Sequence, residues 1–132
     1  SFFLYRKIKE YNNARSNPHK QSRDPGAVKP IHLIVSDEQG DWIGGITGDV
    51  YWGWLEINDF WLSDECRRQG LGTQLLNQAE DTAIELGAGK VLLSTFGFQA
   101  RPFYEKHGYE VVGEIKDYPP RSSFYTMVKK LR

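Results

Sequence analysis

Between an aromatic and aliphatic run at 54–62 and a long amphipathic stretch lies the segment Arg67-Arg68-Gln69-Gly70-Leu71-Gly72-Thr73. From Leu71 the apolar residues Leu71, Leu75, Leu76, Ala79, Ala83, Ile84 and Leu86 recur at helical spacing, and the stripe stops at Gly87 and Gly89. Two glycines and two arginines therefore fall where a strand turns into a helix. The free amides and positive dipole end of a helix's first turn attract phosphate, and glycine lets a backbone approach it closely. The amides of 69–73 and the charges of Arg67 and Arg68 suit a pyrophosphate. A Walker loop fits poorly, because no Lys-Ser or Lys-Thr follows these glycines, and a dinucleotide fingerprint fits poorly because Leu75 stands in place of its third glycine.

A second segment, Gln99-Ala100-Arg101-Pro102-Phe103-Tyr104-Glu105-Lys106-His107-Gly108-Tyr109, follows a strand-like run at 90–96. Pro102 is tolerated in a first helical turn, Phe103 and Tyr104 supply an inward face, and Gly108 ends the helix in a left-handed turn.

These segments need a scaffold to position them. The pattern predicts helix, three strands, helix, strand, helix and two strands. The first helix runs from Phe3 or Leu4 to about Ala14 with Leu4, Ile8 and Tyr11 on one face, and 15–30 reads as a polar loop. Strands over 31–36 and 42–51 make an antiparallel pair, 54–62 is the third strand, and 90–95 returns parallel to it after the helical crossover. Strands over 109–115 and 124–129 are the last pair. The expectation is one domain over 1–132: an α/β (α+β) fold with a mixed, mostly antiparallel sheet and helices on both faces.

Arg67-x-x-Gly70-x-Gly72 resembles the [Q/R]xxGxG/A signature of the GNAT superfamily of acyl-CoA-dependent N-acyltransferases, and Ala100 to Tyr109 resembles its second hallmark, A-x-x-[FL]-Y-E-K-x-G-[FY]. The two lie in the superfamily's order, one helix and one strand apart, and the resemblance covers about 31–130, as in small bacterial single-domain members. It implies the GNAT fold, in which the strands at 54–62 and 90–95 splay apart. Coenzyme A enters the gap, its pyrophosphate at Arg67, Arg68, Gln69, Gly70, Leu71, Gly72 and Thr73, and its pantetheine arm along the backbone of Phe60, Trp61 and Leu62, whose side chains mostly pack in the core. Gly97, Ala100 and Phe103 complete the expected cofactor contacts. Many relatives carry asparagine at the position of Gly97, so any side-chain bond from there is lost and only a backbone contact remains. The family opens with a strand before its first helix. No strand-like run precedes 3–14, so that strand is either absent or outside this sequence, and homodimerisation through the open sheet edge or through the C-terminal strands is an expectation.

The activity implied is acetyl transfer from acetyl-CoA to an amine by direct attack, which requires a deprotonated nucleophile, a stabilised oxyanion and a proton for the departing thiolate. Tyr104 matches the tyrosine that protonates the coenzyme A sulfur, and a phenol with a reference pKa near 10 suits a thiolate leaving group. Glu56 falls on the strand position of the catalytic glutamate of the histone acetyltransferase members. Asp59 is a second candidate base, on the opposite face by strand alternation. Both carboxylates also read as solvated or salt-bridged surface groups. Tyr51, Trp52, Trp54 and Trp61 form an expected aromatic cluster on the acceptor side, where packing is the competing use, and 118–121 with Tyr118 forms an expected lid. Asp49, Glu56 and Asp59 would suit a cationic amine.

Seventeen basic and seventeen acidic residues cancel in 132, so no basic stripe recommends nucleic acid or an anionic membrane. No apolar run is long enough to span a bilayer, and 1–4 is no signal peptide. The single cysteine, Cys66, suits a reducing cytoplasm and reads as incidental rather than nucleophilic. One Cys and three His show no metal-ligand spacing. The competing function is a catalytically silent acyl-CoA-binding regulatory module that keeps the pyrophosphate loop without turnover.

Overall fold

The computed structural model describes residues 1–67 and 69–132. Helices α1 (Phe2–Arg15) and α2 (Asn17–Gln21) precede strands β1 (Lys29–Ser36), β2 (Trp42–Tyr51) and β3 (Trp54–Leu62). Helix α3 (Leu71–Glu85), strand β4 (Lys90–Phe96), helix α4 (Arg101–Lys106) and strands β5 (Glu110–Lys116) and β6 (Ser123–Lys130) follow. The strands form one sheet in the order β1-β2-β3-β4-β6-β5, in which only β3 and β4 run parallel. No described helix is long and apolar enough to cross a membrane.

The apolar stripe of α3 buries Leu75, Leu76, Ala79 and Ala83 against the sheet, together with Ile46 and Val50 of β2, Leu55 of β3 and Val91 of β4. Leu76 has no exposed surface, so truncating it to alanine should cost about 2–5 kcal/mol. Strand alternation sends the remaining side chains to the opposite face, here called the front.

One expectation changes at the N-terminus. The span 15–30 contains α2, because Ser16 caps it through a side-chain bond from the His19 N–H and Pro18 occupies its first turn, where a missing N–H does no harm. The stripe Leu4, Ile8 and Tyr11 of α1 remains 58–60% exposed, and α1 buries no residue. Helix α2 is tied to the β2–β3 turn by the Trp52 Nε1–H, which donates to the Pro18 carbonyl at 2.9 Å.

Candidate active site

β3 and β4 pair at only three positions, Trp54–Lys90, Leu55–Val91 and Glu56–Leu92. Beyond them each strand follows its other neighbour: β3 stays paired to β2 as far as Leu62, and β4 to β6 as far as Phe96. The central sheet therefore forks, and the β4-facing backbone of β3 beyond Glu56 is left without a strand partner. Phe60, Trp61 and Leu62 lie on this free stretch, as expected. Phe60 packs toward α4, its ring 5.9 Å from that of Phe103 and 6.4 Å from that of Tyr104. Trp61 departs from the expected core packing. It pairs with Gly45, points to the front face and is 55% exposed.

The fork begins beside a bulge. Thr47 pairs with Asp59 and Gly48 with Ile57, so Asn58 is an extra residue on β3. This reverses the alternation predicted for Asp59. Glu56 lies opposite Asp49 and Asp59 opposite Thr47, which places both carboxylates on the front face. The Thr47 hydroxyl donates to Asp59 at 3.2 Å, Asn58 Nδ2 donates to Asp49 at 2.9 Å, and the Tyr51 hydroxyl donates to Glu56 at 2.9 Å. Partial burial, reinforced by Glu56, raises the Tyr51 pKa. Asn58 was missed by sequence reasoning. The signal for it is Gly48 inside β2, since a Cβ there would fall 2.5 Å from the Glu56 carbonyl oxygen.

The acceptor-side aromatics do not make one cluster. Tyr51 and Trp52 meet edge-on at 5.0 Å at the closed end of the fork, where with Pro18, Gln21, Ser22 and Ala27 they line a cleft of about 400 Å³. Trp54 lies under Lys90 Nζ at 5.2 Å, and Trp61 sits toward the far end of β3. Tyr118, on the β5–β6 connection, stands over the open end of β4 with its ring 6.4 Å from Phe96 and 5.9 Å from Phe124.

On the other side of the fork, Tyr104 is buried on α4 between Phe60 and Tyr109. Among the described residues its hydroxyl has no hydrogen-bond partner, and burial pushes its pKa up to about 12. Its neighbour Tyr109 is fixed by donating to Glu80 at 2.6 Å, and Glu80 also receives Lys129 Nζ at 2.8 Å. Ala100 caps α4 with its carbonyl accepting the Tyr104 N–H at 3.1 Å.

At the start of α3, Gly70 adopts φ +78°, a left-handed conformation that favours glycine. The first intrahelical bond runs from the Gln74 N–H to the Gly70 carbonyl, which leaves the N–H groups of Leu71, Gly72 and Thr73 ahead of it with no capping side chain. Gly72 is needed for packing. A Cβ there would meet Leu62 Cδ1 at 3.2 Å and the Phe103 ring at 3.5 Å. Arg67 is exposed and partly engaged, with Nη1 3.2 Å from Asp64 and Nε donating to the Leu62 carbonyl at 3.3 Å, while Gln69 Nε2 donates to the Glu65 carbonyl. Arg68 lies outside the described residues. Cys66 accepts from the Ser63 hydroxyl at 3.2 Å. The Gly97 N–H, the expected backbone contact, is taken by the Ser123 carbonyl at 2.8 Å, and a Cβ at Gly97 would sit 3.3 Å from the Ser122 hydroxyl. His107, absent from the expected set, bridges the two helices: Nδ1 is 2.7 Å from the Phe103 carbonyl and Nε2 3.0 Å from the Thr73 hydroxyl. No group of potential metal ligands occurs among the described residues.

A helix start with three uncapped N–H groups, a forked pair of parallel strands and a buried tyrosine behind the fork are thus held on one scaffold. The model of the acetyltransferase (GNAT) family matches residues 4–109. The chain is 38% identical over 108 residues to a blasticidin-S acetyltransferase of Streptomyces morookaense, covering 79% of each chain. The crystal structure of an acetyltransferase from Bacillus cereus ATCC 14579 superposes with a TM-score of 0.86 at 33% identity, covering 98% of this chain and 89% of that one. An aminoglycoside 6'-N-acetyltransferase complexed with coenzyme A shares the fold at 18% identity, with a TM-score of 0.68 over 92% of this chain and 81% of that one. The chain belongs to the GNAT acetyltransferase family.

Proposed function

We propose that this acetyltransferase moves an acetyl group from acetyl-CoA to a primary amine of a small, positively charged acceptor lying on the front face of the fork. One observation carries the reading. The splay of β3 from β4 beyond Glu56 leaves a free strand edge between Tyr104 on one side and the carboxylates Asp49, Glu56 and Asp59 on the other. The chain's residues fit coenzyme A. The free amides of Leu71, Gly72 and Thr73 with the Arg67 charge receive the pyrophosphate, and the unpaired backbone of 60–62 receives the pantetheine amides.

The amine attacks the thioester carbonyl, so that a C–N bond forms and the C–S bond breaks. Glu56, accepting from Tyr51, takes the amine proton directly or through water. Tyr104 supplies the proton to the departing thiolate, and its raised pKa keeps the phenol loaded at neutral pH. Three carboxylates on one face favour a cationic acceptor, and the relative named for blasticidin-S supports a small molecule over a protein.

Thiol release from acetyl-CoA against a panel of small amines, blasticidin-S among them, and lysine peptides tests this. Acceptor-dependent release with a cationic small amine is expected. Release only with peptides would replace the acceptor class. Binding of acetyl-CoA without release for any acceptor would favour a silent acyl-CoA-binding module.

A further inference from the structure

We propose that His107 is a positioning residue for coenzyme A, which orients the Thr73 hydroxyl toward the pyrophosphate and takes up a proton as the cofactor binds. The inference rests on the reading of the α3 start as the pyrophosphate site. It begins from a constraint on the ring. The Phe103 carbonyl 2.7 Å from Nδ1 can only accept, so Nδ1 carries hydrogen. In a neutral imidazole Nε2 is then an acceptor, and the Thr73 hydroxyl 3.0 Å away donates to it.

That arrangement is poor for an anion. Thr73 is the third residue of α3, beside the free amides, and with its hydrogen committed to His107 the hydroxyl presents only lone pairs to a phosphate oxygen. Protonating Nε2 reverses the bond. The imidazolium N–H donates to the Thr73 oxygen, the hydroxyl hydrogen is released for the phosphate, and a positive charge arrives one hydrogen bond behind it. His107 itself bonds no carboxylate, and three carboxylates of the surrounding elements are already paired. Glu105 on α4 is paired with Arg101 at 3.1 Å, Glu80 on α3 with Lys129 of β6 at 2.8 Å, and Asp64 in the preceding loop with Arg67 at 3.2 Å. Lys106, the remaining charge on α4 beside His107, is exposed. The bound anion itself is the partner that favours protonation.

Calorimetric titration with 3′-dephospho-coenzyme A, whose pyrophosphate does not titrate near neutrality, tests the coupling at about pH 5.5 and about pH 8, on either side of the range in which imidazoles ordinarily change charge. Binding is expected to be about tenfold tighter at the lower pH, with proton uptake largest between the two and detected at about pH 7 by comparing buffers of different ionisation heat. Thr73→Val and His107→Gln, the latter offering a neutral amide at the Nε2 position, should each abolish uptake and pH dependence, while Thr73→Ser should keep both. Equal affinity of the wild type at both pH values and no uptake at about pH 7 would overturn the role of His107 and leave the pyrophosphate site standing. Unchanged uptake in a folded Thr73→Val would also overturn it. Failure of the wild type to bind the probe at either pH would remove the pyrophosphate reading and this inference together.

Discussion

Glu56 and Asp59 point to the same face of β3 although three residues separate them, because Asn58 bulges out of the pairing with β2. In an unbroken strand an odd separation puts two side chains on opposite faces. The bulge therefore adds a third carboxylate to the face that already carries Asp49 and Glu56. Gly48 permits it, since an added Cβ would lie 2.5 Å from the Glu56 carbonyl oxygen, a backbone atom that cannot step aside. Gly48→Ala is expected to destabilise the protein by about 2 kcal/mol or more and to depress turnover by moving Glu56. Denaturant melts with parallel acetyl-CoA kinetics check it, and a variant of wild-type stability and rate would show that the bulge is not needed.

With Glu56 and Asp59 on one face, the two divide by partner. Glu56→Gln should lower kcat most at low pH, because at high pH the amine is already free. Asp59→Asn leaves Thr47 able to hydrogen-bond and should raise KM for a cationic acceptor with a smaller effect on kcat. Full pH–rate profiles of both variants decide it, and an equal kcat loss in both at every pH would reject the assignment of Glu56 as base.

Tyr104→Phe removes only a hydroxyl that has no hydrogen-bond partner among the described residues, so its effect should fall on the reaction. The expected loss is about 10²–10⁴ in kcat with acetyl-CoA affinity unchanged. The pH dependence follows from burial. The folded phenol ionises at about 12 and an unfolded one near 10, so the native state is disfavoured as pH rises through that window. Wild-type kcat should accordingly hold its plateau to about pH 10, and stability should fall between about pH 10 and 12, less steeply in Tyr104→Phe. Tyr109, raised by burial and by Glu80, keeps part of that fall in the variant. A kcat limb descending near neutrality and absent in Tyr104→Phe would be inconsistent with this environment.

The central elements were legible because local and global signals agree there. The stripe from Leu71 to Leu86, the aromatic run before it and the Ala100–Tyr109 hallmark each specify one structure, and the elements form at those positions. Much of what escaped was set by contacts distant in sequence. Gly72 reads as room for phosphate, yet its missing side chain makes room for Leu62 and Phe103. The span 15–30 reads as a loop, yet Ser16 and Pro18 start α2 inside it through a local cap. The stripe on α1 reads as one apolar face, a period that says nothing of whether the face is buried, and it stays exposed. His107 is silent in sequence because its partner Thr73 lies 34 residues away.

The two glycines of the pyrophosphate turn should fail differently. Gly70→Ala forces a side chain into φ +78° with open space around it, so it should cost about 1 kcal/mol of stability through backbone strain and leave the fork intact. Gly72→Val places a branched side chain where even a Cβ meets Leu62 Cδ1 at 3.2 Å and the Phe103 ring at 3.5 Å. It must push α3 away from β3 and α4, which shifts the free amides relative to the fork, costs about 1–3 kcal/mol by overpacking and weakens coenzyme A binding. Chemical denaturation and coenzyme A calorimetry on both variants separate strain from displacement. Should Gly72→Val bind coenzyme A as tightly as wild type, the start of α3 is not where the pyrophosphate rests.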